Sequence, residues 1–309
     1  MCQTPNQKSQ ISPHLGQKLT VLGGDARQIY TATHLMQAGY DVSVMGLSHP
    51  LPSRMKSCTG LTHALEGSRM VLLPLPATRD GQHIDCPLDA TQAIPFDTLK
   101  AHLSHIPSVQ VFGGRIPQSW REQLTSVGCL VTDYYEREDL QIKNARITAE
   151  GAIMTAMELS DKAILGMPIA VLGYGRIGQY LSRLLVAWGA KVTVYARRSE
   201  SLAQAASDGC DTCHISHLSN LTQGYGVIFN TIPTRLIGKE ILSLMPCDTL
   251  MIDLSSHPFG IDPDAAGEMT TRCGLGVVFA PSLPGRYAPR DAGIAIAESI
   301  LTSLAEGGS

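Results

Sequence analysis

Residues 169–178 read Ile169-Ala170-Val171-Leu172-Gly173-Tyr174-Gly175-Arg176-Ile177-Gly178. An apolar run leads into G-x-G-x-x-G, and a helix-period segment follows over 178–188. That order predicts the strand, turn and helix that open a dinucleotide-binding unit. Gly173 permits the tight turn, Gly175 lets the backbone approach a pyrophosphate, and Gly178 lets the helix lie close to the sheet. The phosphates would rest on unpaired N–H groups at a helix N-terminus, where the dipole favours anions. Tyr174, Arg176 and Ile177 share this turn and belong to the same candidate site. A glycine-rich turn without a ligand is the plain alternative. Three glycines in register, between a buried strand and an amphipathic helix, argue against it.

The strand expected over 191–195 decides which dinucleotide is meant. An NAD site usually ends this strand in a carboxylate for the ribose hydroxyls. This chain has Ala196-Arg197-Arg198-Ser199 there, and no carboxylate before Glu200. Two guanidiniums and a hydroxyl suit a 2′-phosphate, to which Arg makes charge-assisted and often bidentate bonds. NADP is therefore expected in preference to NAD. The bland reading of Arg197 and Arg198 is a solvated surface pair. Asn230-Thr231-Ile232-Pro233 follows another apolar strand and is expected to border the nicotinamide ribose.

The same alternation of apolar runs and helical segments extends both ways. Strands are expected over 19–22, 42–45, 70–73, 109–112 and 130–132, and again over 169–172, 191–195, 227–230, 250–253 and 277–279. Their near-continuous apolarity suits parallel strands covered on both faces. Helices are expected over 26–37, 96–103, 119–127, 150–165, 178–188 and 292–305. The fold class is α/β, with two doubly wound parallel-sheet domains. The first, residues 1–149 plus 287–309, is read as a flavodoxin-like substrate or partner domain, its last helix crossing back from the second. The second, residues 150–286, is the Rossmann dinucleotide-binding domain.

A chain of 309 residues with 44% hydrophobic and 17% charged residues has a globular composition. A net charge of −3 argues against nucleic-acid binding. No apolar run approaches the roughly 18 residues of a membrane span, so a protein without a membrane segment is expected. Residues 1–18 are polar, hold Pro5 and Pro13, and read as a loose tail rather than a signal peptide. The eight cysteines read as reduced thiols. Cys210 and Cys213, with His214 and His217, have the residue types of a zinc site, but no second C-x-x-C accompanies them. They are read as small packed residues, and no metal is expected.

Ligands of open α/β sheets bind beyond the carboxyl ends of the strands. His257 lies in the segment after residues 250–253, and a loop histidine there is a candidate acid/base, although such residues are more often merely exposed. Arg286 lies in the segment after the last strand. The first domain carries Gly23-Gly24-Asp25-Ala26-Arg27 at its first strand–helix turn. This lacks the full fingerprint, so Asp25 is read as a helix cap and Arg27 as a contact for an anionic substrate. Gly113-Gly114-Arg115 lies at another strand end with the same ambiguity.

Six segments together resemble the A subunit of dipicolinate synthase: residues 21–28, 148–152, 171–178, 230–233, 252–256 and 280–285. The resemblance runs from about residue 19 to 304 in the same order, and its G-G-D-A-R-Q and L-P-G segments are more specific than the nucleotide fingerprint. It implies oxidation of a dihydrodipicolinate-type precursor to pyridine-2,6-dicarboxylate, with hydride passed to NAD(P)+. It also implies that the partner is a flavoprotein-like B subunit and that the location is the cytoplasm of a sporulating mother cell. A homo-oligomer is expected as well. The substrate is a flat dianion, which calls for Arg and hydroxyl donors. Arg27, Thr148 and Arg286 are the candidate carboxylate contacts. Glu150 and His257 are the candidates to remove the ring proton. Glu150 is equally accounted for as a first-turn carboxylate favoured by the helix dipole. The competing functions are an NADP-dependent reductase of a 2-oxoacid or quinate-like substrate, and a non-catalytic NADP-sensing protein.

Overall fold

The computed structural model describes residues 16–48, 50–89 and 91–307; most of the polar N-terminal tail lies outside them. The chain divides into two compact units, one reaching Gln141 and resuming at Pro289, the other spanning Ile142–Ala288.

The first unit contains β1 (Lys18–Leu22), α1 (Ala26–Gln37), β2 (Asp41–Met45), β3 (Lys56–Ser57), α2 (Leu61–Leu65), β4 (Met70–Leu72), α3 (Phe96–Leu103), β5 (Gln110–Gly113), α4 (Gln118–Ser126) and β6 (Leu130–Asp133). A long helix, α5 (Glu138–Leu159), then carries the chain into the second unit. That unit contains β7 (Pro168–Leu172), α6 (Arg176–Ala187), β8 (Lys191–Ala196), α7 (Ser199–Ser207), β9 (Asp211–His214), β10 (Val227–Asn230), α8 (Lys239–Leu242), β11 (Leu250–Asp253), α9 (Pro263–Cys273), β12 (Gly276–Phe279) and α10 (Leu283–Tyr287). The final helix, α11 (Pro289–Gly307), belongs to the first unit.

Each unit holds a six-stranded, all-parallel sheet. The first runs β3-β2-β1-β4-β5-β6 and the second β12-β11-β10-β7-β8-β9. Most strands are buried on both faces, which is why their sequences are apolar without alternation. In the first sheet β3 is a two-residue edge. Without it, the remaining five strands run in the 2-1-3-4-5 order of flavodoxin-like folds. The second sheet has the Rossmann order, with its switch point between β7 and β10. In-register pairs Leu172–Tyr195, Asn230–Leu172 and Asn230–Asp253 bring the carboxyl ends of four strands to one edge.

Helix α11 returns to lie along α1. The Thr31 hydroxyl donates to the Gly293 carbonyl at 3.0 Å, and a Cβ on Gly293 would stand 2.4 Å from the Arg27 carbonyl oxygen. Only glycine permits that approach, so α11 contributes to the core of the first unit.

Helix α5 corrects the expected span of 150–165. It starts at Glu138 and ends at Leu159, placing Glu150 in mid-helix rather than in a first turn. Leu140, Ala145, Ile147, Ala149 and Ala152 form its buried side. Several of these are alanines, whose small apolar contribution makes the period faint in sequence. No helix among the described residues is long and apolar enough to cross a membrane.

Candidate functional site

The turns after β1 and β7 occupy equivalent places in the two sheets but are built differently. In the first unit Asp25 caps α1, its carboxylate accepting from the Arg27 backbone N–H at 3.0 Å. The same carboxylate takes the Arg27 guanidinium, Nε and Nη2 donating at 2.9 and 2.8 Å. Nη2 also donates to the Leu75 carbonyl at 2.5 Å. Arg27 is 5% exposed. Burial works against its charge, and the hydrogen bonds and charge of Asp25 more than offset this, raising its pKa. Above the turn, a Cβ on Gly23 would meet the Asp85 carbonyl at 2.6 Å and the Cys86 Sγ at 2.7 Å. Gly23 permits this close approach, with φ at +59°. The equivalent Gly173 is as crowded, its Cβ standing 2.4 Å from the Thr231 Oγ1 and 2.8 Å from the Ile232 Cγ1, so what sets the first turn apart is the Asp25 side chain on its helix N-terminus.

In the second unit Gly175 stands where the first has Asp25, and it carries no side chain. A Cβ added to Gly175, which caps α6, would meet nothing within 4 Å. No side chain caps α6, so its first N–H groups face a gap suited to an anion. Gly178 fits the packing role: its Cβ would stand 2.2 Å from the Gly173 carbonyl oxygen. Gly173 itself has φ at +94°. A Gly178→Ala substitution must push α6 off β7. The expected result is a loss of about 1–3 kcal/mol of stability and at least tenfold weaker dinucleotide binding. Chemical denaturation alongside a cofactor titration checks both, and wild-type values in each would remove Gly178 from this role.

A cleft of about 410 Å3 opens here, lined by Gly173, Tyr174, Gly175, Ala196, Arg197, Arg198, Ser201, Ile215, residues 231–234 and Leu236. Arg197 and Arg198 are exposed, and neither forms an ion pair among the described residues. Arg198 caps α7, and no side chain satisfies that helix's first N–H groups either. One cleft thus offers two open helix N-termini, with two guanidiniums at the second. That arrangement fits a ligand with separate diphosphate and monophosphate groups.

Other expected residues take different places. Tyr174 turns inward: it is buried and its hydroxyl donates to Asp208, which also accepts from Arg183 Nε at 2.9 Å. Burial first, and then the bond to Asp208, hold the Tyr174 hydroxyl well above its ordinary pKa. Only its backbone is left for a ligand. Ile177 packs against the core, and Arg176 is exposed on the first turn of α6. Ser199 begins α7, but the residue of that first turn that lines the cleft is Ser201, which no sequence pattern singled out.

Asn230 does not reach the cleft. It is 0% exposed; its Nδ2 donates to the Ile232 carbonyl at 3.0 Å and to Asp253 Oδ1 at 2.9 Å, while its Oδ1 accepts from the Ile232 N–H at 3.2 Å. Asn230 shapes the loop that presents Thr231 and Pro233. Asp253 is the hub of this edge, also 0% exposed. Its carboxylate accepts from the Ser255 N–H and hydroxyl at 2.9 and 2.6 Å, and from the Gly260 and Ile261 N–H groups at 2.9 and 2.8 Å. It closes the base of a loop whose exposed tip carries His257, its ring centre 5.7 Å from that of Phe259.

Thr148 is buried, its hydroxyl donating back to the Asn144 carbonyl at 2.7 Å. Glu150 lies on the solvent side of α5 and accepts from Arg146 Nε at 3.2 Å. Arg286 is 5.0 Å from the Tyr287 ring and 3.7 Å from Glu158, its side chain 67% exposed. Cys210 and Cys213 join opposite faces of the second sheet, three residues apart. Among the described residues no group of three or more His, Cys, Asp or Glu is placed to hold a metal ion.

Comparison with known proteins places these features. Residues 18–135 match the family described as the N-terminal domain of the dipicolinate synthase A subunit. Residues 132–256 match the D-isomer specific 2-hydroxyacid dehydrogenase, NAD binding domain. The chain is 31% identical to the A subunit of dipicolinate synthase of Bacillus subtilis over 295 residues, covering 94% of this chain and 97% of that protein. It is similar to the crystal structure of the dipicolinate synthase A subunit from Bacillus halodurans, with TM-score 0.82, 29% identity, and coverage of 94% of this chain and 98% of that one. The crystal structure of the Bacillus subtilis counterpart gives TM-score 0.80 and 29% identity, with 96% and 98% covered. The second unit is thus a nicotinamide-dinucleotide-binding domain of the dehydrogenase type.

Proposed function

Because this chain belongs to the family of dipicolinate synthase A subunits, we propose that it is an oxidoreductase converting a dihydrodipicolinate-type precursor to pyridine-2,6-dicarboxylate, with NADP+ as hydride acceptor. The observation that carries the cofactor half is the cleft with two uncapped helix N-termini and the exposed Arg197 and Arg198. The substrate half rests on the family. A bound nicotinamide supplies the hydride acceptor for the ring carbon that aromatises.

The protein's own task is to hold a flat dianion and take one proton. His257, on a loop closed at its base by Asp253, is our candidate base: an imidazole nitrogen would accept the ring proton as hydride leaves the neighbouring carbon. Glu150 is not carried into this proposal, because its carboxylate is on the solvent side of α5 and paired with Arg146. The side chain of Arg286 is exposed and able to meet a carboxylate. For Arg27 only the donors not committed to Asp25 and Leu75 remain for the same purpose. Thr148 keeps acceptor lone pairs but has its proton engaged, so it suits a protonated partner better than a carboxylate. Partnership with the B subunit and the mother-cell cytoplasm as location belong to the same proposal.

The test is an assay of the purified chain with NADP+ and freshly made precursor, with and without the B subunit, following absorbance of the reduced nicotinamide. Turnover is expected, and His257→Asn is expected to lower kcat by about a hundredfold while leaving NADP affinity unchanged. Unchanged kcat would exclude His257, and absence of turnover with the B subunit present would refute the proposal. The match of residues 132–256 to 2-hydroxyacid dehydrogenases favours one second reading, reduction of a 2-oxoacid. It predicts turnover of simple 2-oxoacids with NADPH by this chain alone.

A further inference from the structure

Arg115 closes the Gly113-Gly114-Arg115 segment after β5, and its backbone is at φ +52°, a conformation that L side chains rarely adopt. Glycine fills the two positions before it and would take that φ at no steric cost. A residue held in a sparsely populated conformation points to a task for its side chain. The surroundings hold it firmly. Asp133, at the end of β6 and 7% exposed, accepts from the Arg115 and Tyr135 N–H groups at 3.1 and 2.9 Å and from the Ile116 N–H at 2.8 Å. One buried carboxylate thus fixes the backbones of Arg115 and Tyr135 relative to each other. The Arg115 guanidinium lies over the Tyr135 ring, 5.0 Å from its centre, and Arg115 is exposed. An aromatic face fixes the plane of a guanidinium, whose fork of N–H donors matches the two oxygens of a carboxylate.

The place of this turn in the fold is that of a ligand site. Val21 pairs with Leu72, Leu72 with Phe112, and Gly113 with Asp133, so β1, β4, β5 and β6 end in step. The strand order puts the switch point of this sheet between β1 and β4, and open α/β sheets receive ligands at such points, beyond the carboxyl ends of their strands. Leu75 ties the ends together. Its carbonyl accepts from Arg27, and its side chain lies against Gly114, where a Cβ would stand 2.6 Å from Leu75 Cδ1. Tyr135 also interacts electrostatically with Arg27. The same tyrosine therefore serves a buried arginine already paired with Asp25 and an exposed one mounted on its ring.

We infer that Arg115 is a carboxylate-binding residue of the first unit, with Tyr135 as the positioning residue that orients its guanidinium, and that the ligand is one carboxylate of a flat dicarboxylate. This deepens the proposed reaction, and rests on it for which dicarboxylate is bound.

Calorimetric titration of the full chain with pyridine-2,6-dicarboxylate, in metal-free buffer with and without NADP+, tests the site. Wild type is expected to bind. Arg115→Gly should weaken binding at least about tenfold, yet melt within about 3 °C of wild type, because glycine adopts this backbone freely. Arg115→Lys keeps the charge without the planar fork and should remain about fivefold weaker than wild type. Tyr135→Phe preserves the platform and should bind within about threefold of wild type, whereas Tyr135→Leu removes it and should lose about fivefold. Absence of binding by wild type in both conditions would overturn the inference. So would wild-type affinity in Arg115→Gly, Arg115→Lys or Tyr135→Leu, or an Arg115→Gly variant that loses binding only together with its fold. The readout is binding, so the two ideas fail separately. Arg115-dependent binding without turnover in the presence of the B subunit would refute the reaction and keep the site. Turnover with an unaltered KM in Arg115→Gly would keep the reaction and refute the site.

Discussion

Replacing Asp253 by alanine is expected to destabilise the second unit by about 3–5 kcal/mol. The carboxylate is fully buried and receives five hydrogen bonds, from Asn230, from Ser255 twice, and from the Gly260 and Ile261 N–H groups. Truncation leaves these donors facing a small cavity. Each orphaned buried donor costs roughly 1–3 kcal/mol, and water entering the cavity recovers part of the sum. For a unit of this size the melting temperature should fall by about 10 °C. The consequence reaches the cleft, because Asn230 holds the turn that presents Thr231 and Pro233. Dinucleotide affinity should fall with stability even though Asp253 does not line the cleft. A thermal melt and a cofactor titration check the two effects, and a variant that melts with wild type would show that the network is dispensable.

The second large effect concerns discrimination between the two dinucleotides. Removing both guanidiniums, Arg197→Ala/Arg198→Ala, should weaken NADP binding by about a hundredfold and leave NAD binding within about threefold. Each arginine is credited with about 1.4 kcal/mol, a factor of ten. This is the low end for charge-assisted bonds, because both side chains are exposed. The NADP affinity of wild type should also fall more steeply with salt than its NAD affinity. Titration of wild type and variant with both dinucleotides reads all of this. Equal NADP affinity in the two proteins would place the arginines outside the site. Opposite results at the two positions would identify which guanidinium reaches the phosphate.

The glycine turn was legible in sequence because its constraints are local. Gly173 needs a positive φ, and Gly178 contacts Gly173 only five residues away. Arg197 and Arg198 were legible because strand β8 carries them to a place that the fold type defines. By contrast, the contribution of Asp253 comes from donors at 230, 255, 260 and 261, which meet only after two strands pair and a loop folds back. No spacing in the sequence announces that meeting. Asn230 illustrates the same limit from the other side: its strand-end position was readable, but not that its amide would be consumed within its own loop. The sequence around Glu150 suits a catalytic or first-turn carboxylate, and only the start of α5 at Glu138 places it in mid-helix.

The turns after β1 and β7 mark the boundary between the two kinds of information. Local sequence determined two α/β units of parallel strands and one complete phosphate-binding turn, because strand burial and glycine stereochemistry act over a few residues. Tertiary structure alone decided that the Asp25 carboxylate on the first turn is engaged by a buried Arg27 whose guanidinium also reaches the Leu75 carbonyl, 48 residues along the chain, while no side chain caps the second turn. Which partners a buried guanidinium reaches depends on contacts between distant segments, and those are settled only by packing the whole unit.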